Sequence, residues 1–580
     1  MYLEDMRLPG RQEDDTGFHL SLVMAGAVSA GAYTAGVLDF LIEALDALET
    51  ARAEGDPMLP QDHRVTVDAV LGASAGGISG ALLASVVRGP VKGVAGARYD
   101  PQAEHSVLYR SWVEEVDIAG MLRDDDLTDG KPLVSLLNTL GEHSIDGIRD
   151  RAVDIRKTRT DFPAWLRDPL PIYLSTTNLR GVPYNLSFIG EAGTLHAVTA
   201  HKDYARFAFG TQDPGWVGHG FLDFNTDGSS PAFRTLADAA MGTAAFPFAL
   251  RPRRITTDRD LYNQMHWPVP LDKPVDGKCM SSVKIRPDFP GSPAGGDFAY
   301  WTVDGGTINN EPIEIGRRLI ADESGRNERD PVKSTRKLIM VDPFPNVHEE
   351  GEPKDGEPTI GFVLGALMSA LKQQARFKPE DLAVLRNGTP SRYVIAPARY
   401  ELDAAGNERP AKYAVAGGAL GAFGGFLDIG FRHHDYILGR INAQRFLANW
   451  FTVPVEHRLI AGRWSDEQID YWKIARDDGS HVVPIIPLVG GMNRRDLFGL
   501  DLGLRPFTPP WPSGFADKLP ELKGRMKKRI GKVLCRLIDE NLDNSLQRVA
   551  AKAAVGLLNG AITGKAIAKI EAELQDADLL

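Results

Sequence analysis

Between Val65 and Ser85 the chain reads VTVDAVLGASAGGISGALLAS, an order of elements that few folds can accept. Val65, Val67, Ala69, Val70 and Leu71 form a short, β-branched, apolar run, which predicts a buried strand. Gly72-Ala73-Ser74-Ala75-Gly76-Gly77 is a tight turn of very small residues, and Leu82, Leu83, Val86 and Val87 then recur at helical spacing. Strand, sharp turn with a central serine, helix: in that context G-x-S-x-G reads as a nucleophile elbow, with Ser74 standing exposed above the sheet and Gly72 and Gly76 relieving the crowding around it. The helix also turns its positive N-terminus towards the turn, where an oxyanion would form. Without both flanks the same residues would be an ordinary glycine turn.

The pattern occurs once before. His19–Met24 reads as a strand, Ala25–Ala32 as a small-residue loop, and Val37, Leu38, Leu41, Ile42, Leu45 and Leu48 as one face of a helix with Asp39, Glu43 and Asp46 on the other. Strand–helix–strand order implies a parallel sheet with a right-handed crossover. Further strands are expected at Pro171–Thr177, followed by a hairpin through Arg180-Gly181-Val182, at Phe298–Val303 and at Leu338–Asp342. Residues 104–170 read as a helical insertion, and its acidic run Asp124-Asp125-Asp126 as a solvated helix end or loop rather than a metal site. Thr235–Ala245 reads as a helix that stops at Phe246-Pro247, and residues 267–297, rich in proline and glycine, as a long loop.

Residues 1–16 are polar and read as a flexible arm, residues 17–345 as the α/β domain, and the turn-rich segment 346–358 as a boundary to a mainly helical extension spanning 346–580. In that extension Ile360–Gln374 and Pro379–Leu385 read as helices, Tyr393–Ala396 as a strand paired through Gly406 with Tyr413–Ala416, and residues 430–475 as helix. Two amphipathic helices follow from about Phe515. Near 518–538 Leu519, Leu522, Met526, Ile530, Val533, Leu534 and Leu537 share a face, while Lys518, Lys523, Arg525, Lys527, Lys528, Arg529, Lys532 and Arg536 give strong local positive charge. Such a helix either lies on an anionic lipid surface or packs on a core with a solvated basic face.

The 580-residue chain has a net charge of −11, which argues against a nucleic-acid partner. Cys279 and Cys535 are too few for a disulfide framework and favour a reducing compartment. Leu22–Leu38 is uncharged but follows acidic residues rather than a cationic leader, and Tyr413–Leu427 is shorter than the roughly 20 residues of a membrane span. Neither is expected to cross a membrane. A cytoplasmic or peripheral membrane location is expected, with signal-independent export left open. Neither metal-ligand spacing nor a nucleotide-binding glycine loop is present, so no metal or cofactor is expected.

Four pieces in order now resemble the patatin-like phospholipases: Gly26–Gly36 (GAVSAGAYTAG), Gly72–Gly76 (GASAG), Ala239–Pro247, and Asp304-Gly305-Gly306 with its Asn309/Asn310-x-Pro312 tail. The resemblance covers roughly residues 17–345, and residues 430–447 (GFRHHDYILGRINAQRFL) look like a segment of longer bacterial members. It implies a three-layer α/β/α core with a mostly parallel sheet. It further implies a lipid acyl hydrolase of phospholipase A or esterase type, cleaving phospholipids or other acyl lipids with Ser74 as nucleophile and Asp304 as base. Gly26, Ala27, Val28 and Gly31, with Ala75, occupy the oxyanion motif. Beside the resemblance stands elementary chemistry. A serine hydroxyl needs a base in the transition state, and a carboxylate within hydrogen-bond reach can serve, though more weakly than imidazole. More of the rate must then come from stabilising the oxyanion.

The chain departs from the family at the loop. Relatives carry consecutive glycines and then a basic residue; here Ala27, Val28 and Ala30 stand in those places. Alanine and β-branched valine lack glycine's access to positive φ, which predicts a hole of different shape, or one formed only on substrate or membrane binding. Two other readings stay open: a Ser-His-Asp hydrolase drawing on His433-His434-Asp435, His457 or His481, and a non-catalytic or activator-dependent module that binds lipid or a partner. Arg432, Tyr436 and Arg440 around the histidine pair read as a polar packing network between helices.

Overall fold

The structure is a computed structural model. It describes residues 16–89, 106–128, 131–141, 144–153, 161–187, 195–211, 222–225, 231–263, 266–275, 278–284, 286–289, 295–321, 326–344, 359 with a few positions up to 374, 390–403, 406–493, 509–542 and 544–580. The expected helix at Pro379–Leu385, most of that at Ile360–Gln374, residues 1–15 of the arm and all of the boundary segment 346–358 lie outside the described residues.

The principal elements, in order, are β1 (Phe18–Met24), α1 (Gly31–Ala53), β2 (Val65–Gly72), α2 (Ser74–Val86), β3 (Leu170–Ser187), β4 (Leu195–Gly210) and β5 (Leu222–Asn225). Then follow α3 (Pro231–Thr243), β6 (Arg253–Asp258), β7 (Asp297–Asp304), α4 (Ile313–Leu319), β8 (Arg336–Val341), β9 (Arg392–Ile395), α5 (Ile429–Asn449), α6 (Leu519–Asn541) and α7 (Ser545–Asp576). Among the described residues they build one nine-stranded, mostly parallel sheet in the order β9-β8-β1-β2-β3-β4-β5, with β7 paired to β3 and β6 to β7.

Strand pleating divides the core between the two faces of this sheet. Leu20, Leu22 and Met24 of β1 and Ile339 and Val341 of β8 join the larger core beneath α1, α2 and α5. Val23, Leu338 and Met340, their immediate neighbours, join a second core beneath α4. Helices on both faces make the three layers. β8 and β9 run parallel to β1, so the chain beyond residue 390 returns to complete the sheet.

α1 is apolar enough to cross a membrane by length and composition, yet it is buried within the protein, because α5 covers the side turned away from the sheet. The two helices touch backbone to backbone. A Cβ at Gly36 would stand 2.0 Å from the Tyr436 carbonyl oxygen, and one at Gly439 would stand 2.2 Å from that of Tyr33, so only glycine permits the approach. Asp39, expected on a solvated face, is instead buried and pairs with Arg440 of α5, which also reaches Glu43 at 2.6 Å. Burial raises the Asp39 pKa, and the Arg440 charge opposes that rise.

Several sequence expectations need correction. Arg180-Gly181-Val182 is a bulge within β3, where Gly181 takes φ 73°, and not a hairpin turn; β3 and β4 remain antiparallel on both sides of it. Residues 267–297 are not simply a loop, since His266–Val275 and Lys278–Lys284 pair as an antiparallel ribbon. β9 pairs with β8, and the hairpin through Gly406 joins Tyr400–Leu402 to Glu408–Pro410. Helix within 430–475 ends at Asn449 and resumes only at Asp466–Trp472. The acidic run is not merely solvated: Arg529 of α6, itself buried, chelates Asp126 with one bond of 2.9 Å, while Lys528 and Lys532 converge on Asp124. Hydrogen bonding from Lys532 is the main reason that the Asp124 carboxyl is held below the usual range. Leu522 and Val533 of α6 are buried, and Leu522 packs with Ile567, Ile570 and Leu574 of α7.

Candidate active site

Two strand ends meet on β3. Gly72, the last residue of β2, lies opposite Leu174, and Asp304, the last residue of β7, lies opposite Thr176. Two residues of strand separate those points, about 7 Å along β3. β2 is parallel to β3 and β7 antiparallel, so the elbow and the Asp-Gly-Gly turn approach the same place from opposite directions. After extended Ala73, Ser74 turns sharply at φ 50° and starts α2. Its Oγ donates a hydrogen bond of 2.6 Å to Asp304 Oδ2, and both residues are only 4% exposed.

The surroundings fix both partners. Asp304 Oδ1 accepts the Gly306 amide at 2.7 Å, within the turn that Gly305 and Gly306 open, leaving Oδ2 to Ser74. The Asp304 carbonyl accepts from Thr177 Oγ1 at 2.8 Å, and its amide donates to the Ala245 carbonyl at 2.9 Å. Thr243 Oγ1 accepts the Ser74 amide at 3.0 Å and donates to the Ser175 carbonyl. Thr177 and Thr243 carry no motif signal in the sequence, although Thr243 sits within the Ala239–Pro247 stretch.

The loop after β1 passes directly against Ser74. A Cβ on Gly26 would lie 3.0 Å from Ser74 Cβ and 2.3 Å from Asn310 Oδ1, so a larger residue there would have to displace the Asn310 side chain. The Gly26 amide donates to the Asn310 carbonyl at 3.1 Å, which removes it from the set of donors expected for an oxyanion. The amides of Ala27, Val28 and Ala75 have no acceptor among the described residues. Val28 takes φ 46° despite its branched side chain, contrary to the expectation that it could not reach this region. The left-handed conformation costs an L-residue about 1–2 kcal/mol. Gly31 opens α1 beneath the Trp112 ring, and Ala30, where the resemblance led a basic residue to be expected, is fully buried.

A pocket of about 60 Å³ opens over Ser74 and Asp304, with walls from Val28, Ile78, Trp112, Met241 and Phe426. Ile78 and Met241 also line a second apolar cavity of about 40 Å³ between α2 and α3, with Leu82, Phe233 and Leu236. No histidine contacts Ser74 among the described residues. His433 Nδ1 is 2.6 Å from the Tyr109 hydroxyl, and His434 Nδ1 is 2.9 Å from Asp435, whose carboxylate caps the amides of Ala416 and Gly417. His457 bonds the Ser334 carbonyl. These histidines serve packing around α5 and β8, and the Ser-His-Asp arrangement is not assembled at Ser74. Among the described residues no cluster of three or more His, Cys, Asp or Glu side chains offers a metal site.

Residues 22–316 match the family model for patatin-like phospholipase. The chain is also 36% identical over 521 residues to the uncharacterized protein y4iI of Sinorhizobium fredii (strain NBRC 101917 / NGR234), covering 82% of this chain and 71% of that protein. The chain belongs to the patatin-like phospholipase family, a family of lipid acyl hydrolases.

Proposed function

We propose that the protein hydrolyses fatty-acyl esters of lipids, with Ser74 as nucleophile and Asp304 as its base. The observation that carries this reading is the 2.6 Å Ser74–Asp304 hydrogen bond at the floor of a pocket with largely apolar walls. Ser74 Oγ attacks the acyl carbonyl while Asp304 takes its proton. The tetrahedral oxyanion is held by amides of Ala27, Val28 and Ala75, at the start of α2 where the helix dipole adds to the field. The intermediate expels the alcohol, which receives the proton from Asp304, and leaves an acyl-Ser74 ester. Water then donates a proton to Asp304 and releases the fatty acid by the same route in reverse.

Ester hydrolysis by wild type, Ser74→Ala and Asp304→Asn, together with fluorophosphonate labelling of Ser74, tests this. Loss of turnover in both folded variants supports it. Absence of turnover and labelling in the wild type would favour a binding module instead. For peripheral membrane contact we propose Lys523 and Lys527, exposed and without an acidic partner among the described residues, rather than the apolar face of α6, since Leu522 and Val533 face protein. Sedimentation with anionic vesicles should fall on their joint replacement by glutamine; unchanged binding would exclude these two positions.

A further inference from the structure

The loop that holds Val28 at φ 46° is tied to a segment nearly 400 positions away. Ser29, 1% exposed, donates through Oγ to the Ala422 carbonyl at 2.5 Å and accepts the Gly425 amide at 2.9 Å. The partner segment is itself strained, with the non-glycine residues Leu420 and Ala422 at φ 59° and 81°. Conformations of this kind persist only where the surroundings over-determine them. Two carboxylates do so here. Asp435 of α5 accepts the amides of Ala416 and Gly417 at 2.7 and 2.8 Å, and Glu573 of α7 accepts the Leu420 amide at 2.5 Å. Phe426, at the end of the same segment, lines the Ser74 pocket together with Val28. Two short polar contacts, Glu573 to the Leu420 amide and the Ala422 carbonyl to Ser29 Oγ, joined by the backbone of residues 420–422, thus link α7 to the residue next to Val28.

We propose that Ser29 is a positioning residue for the oxyanion amides, clamping a loop that lacks glycine in its strained conformation, and that Glu573 completes the clamp from α7. This rests on the reading of Ala27 and Val28 as oxyanion donors. A loop with glycine at position 28 would sit at φ 46° without strain and need no clamp; with valine there, the restraint comes from the far end of the chain. The geometry of the hole is thereby coupled to the docking of α7.

The test uses the full-length chain and a soluble short-chain acyl ester. Ser29→Ala should lower kcat about 100-fold with little change in KM, the signature of misplaced reacting groups rather than weakened binding. Val28→Gly introduced on top of Ser29→Ala should restore most of that loss, because glycine occupies the loop conformation unaided. Glu573→Ala, far from the pocket, should lower kcat severalfold, and Glu573→Gln, which keeps an acceptor oxygen, should lower it less. Amide hydrogen exchange of the segment around residues 25–31 should quicken in Ser29→Ala and Glu573→Ala. Wild-type kcat in a folded Ser29→Ala protein, or a loss that Val28→Gly fails to restore, overturns the proposal. A wild type without turnover on any acyl ester rejects the enzymatic reading instead, and the exchange rates then still decide whether the clamp exists.

Discussion

Thr243 Oγ1 accepts the Ser74 amide at 3.0 Å and donates its own hydrogen bond to the Ser175 carbonyl, so one buried hydroxyl joins the elbow to the strand that also aligns Asp304. Thr243→Val keeps the shape and leaves a buried donor and a buried acceptor unsatisfied, at about 1–3 kcal/mol. We expect a lower melting temperature and a kcat reduced by roughly tenfold or more with KM nearly unchanged, while Thr243→Ser retains most activity. Equal losses in the valine and serine variants would show that the hydroxyl is not the group that matters.

Met241, with Ile78, lines both the pocket over Ser74 and the cavity between α2 and α3. Met241→Ala joins the two spaces and should move the preferred acyl chain to greater length, each added methylene gaining about 0.8 kcal/mol, roughly fourfold in kcat/KM, until the cavity is filled. Met241→Phe should shorten the preference. A chain-length series on p-nitrophenyl esters reads both shifts, and identical profiles for the three proteins would exclude the inner cavity as an acyl site.

Phe18 is flanked by two buried imidazoles, with ring centroids 5.9 Å from His63 and 5.1 Å from His457. Desolvation lowers both histidine pKa values to about 4. The folded state therefore binds fewer protons than the unfolded chain between the ordinary histidine value near 6.5 and 4. The stabilisation is complete above the unfolded value and is lost as pH falls through that window, at up to about 1.4 kcal/mol per pH unit for each histidine. Denaturant unfolding at pH 7 and pH 4.5 should show this loss, and His457→Gln should reduce it. A pH slope unchanged in that variant would mean that other groups dominate acid unfolding.

Arg440→Met removes the cation opposite Asp39 and leaves a buried carboxylate without its main counter-charge, which should destabilise the fold by about 3–5 kcal/mol. Adding Asp39→Asn should return part of that loss, because the uncompensated charge and not the missing contact is the larger penalty. Chemical denaturation of both variants measures the difference; no recovery in the double variant would assign the loss to packing.

Local signals carried the centre of the fold. β2 and α2 are announced by β-branched residues, a small-residue turn and helical spacing within one short stretch, and Asp304 by its place after a strand and before two glycines. The register that brings them together is not a local property: it depends on Gly72 and Asp304 choosing Leu174 and Thr176 on a third strand. Charged residues misled most. Asp39 and Asp126 read as solvated because their partners, Arg440 and Arg529, are about 400 positions away. Ser29 gave no signal either, being one small residue in a loop of small residues, with its partner in a glycine-rich stretch remarkable only in composition. At Val28 local preference was overridden by tertiary contacts.

The interlock of α1 with α5 also orders events in time. Asp39 and Arg440 are 401 positions apart, so at roughly 5–20 residues per second the ribosome needs about 20–80 s after making the first to deliver the second. Through that interval the chain lacks α5, which packs on α1 in the finished fold, and the segment that bonds Ser29. A chain ending at residue 316, where the family match stops, would remain in that condition permanently, without β8, β9 and α5. The region that completes this sheet and covers α1 thus extends well beyond the residues that identify the family.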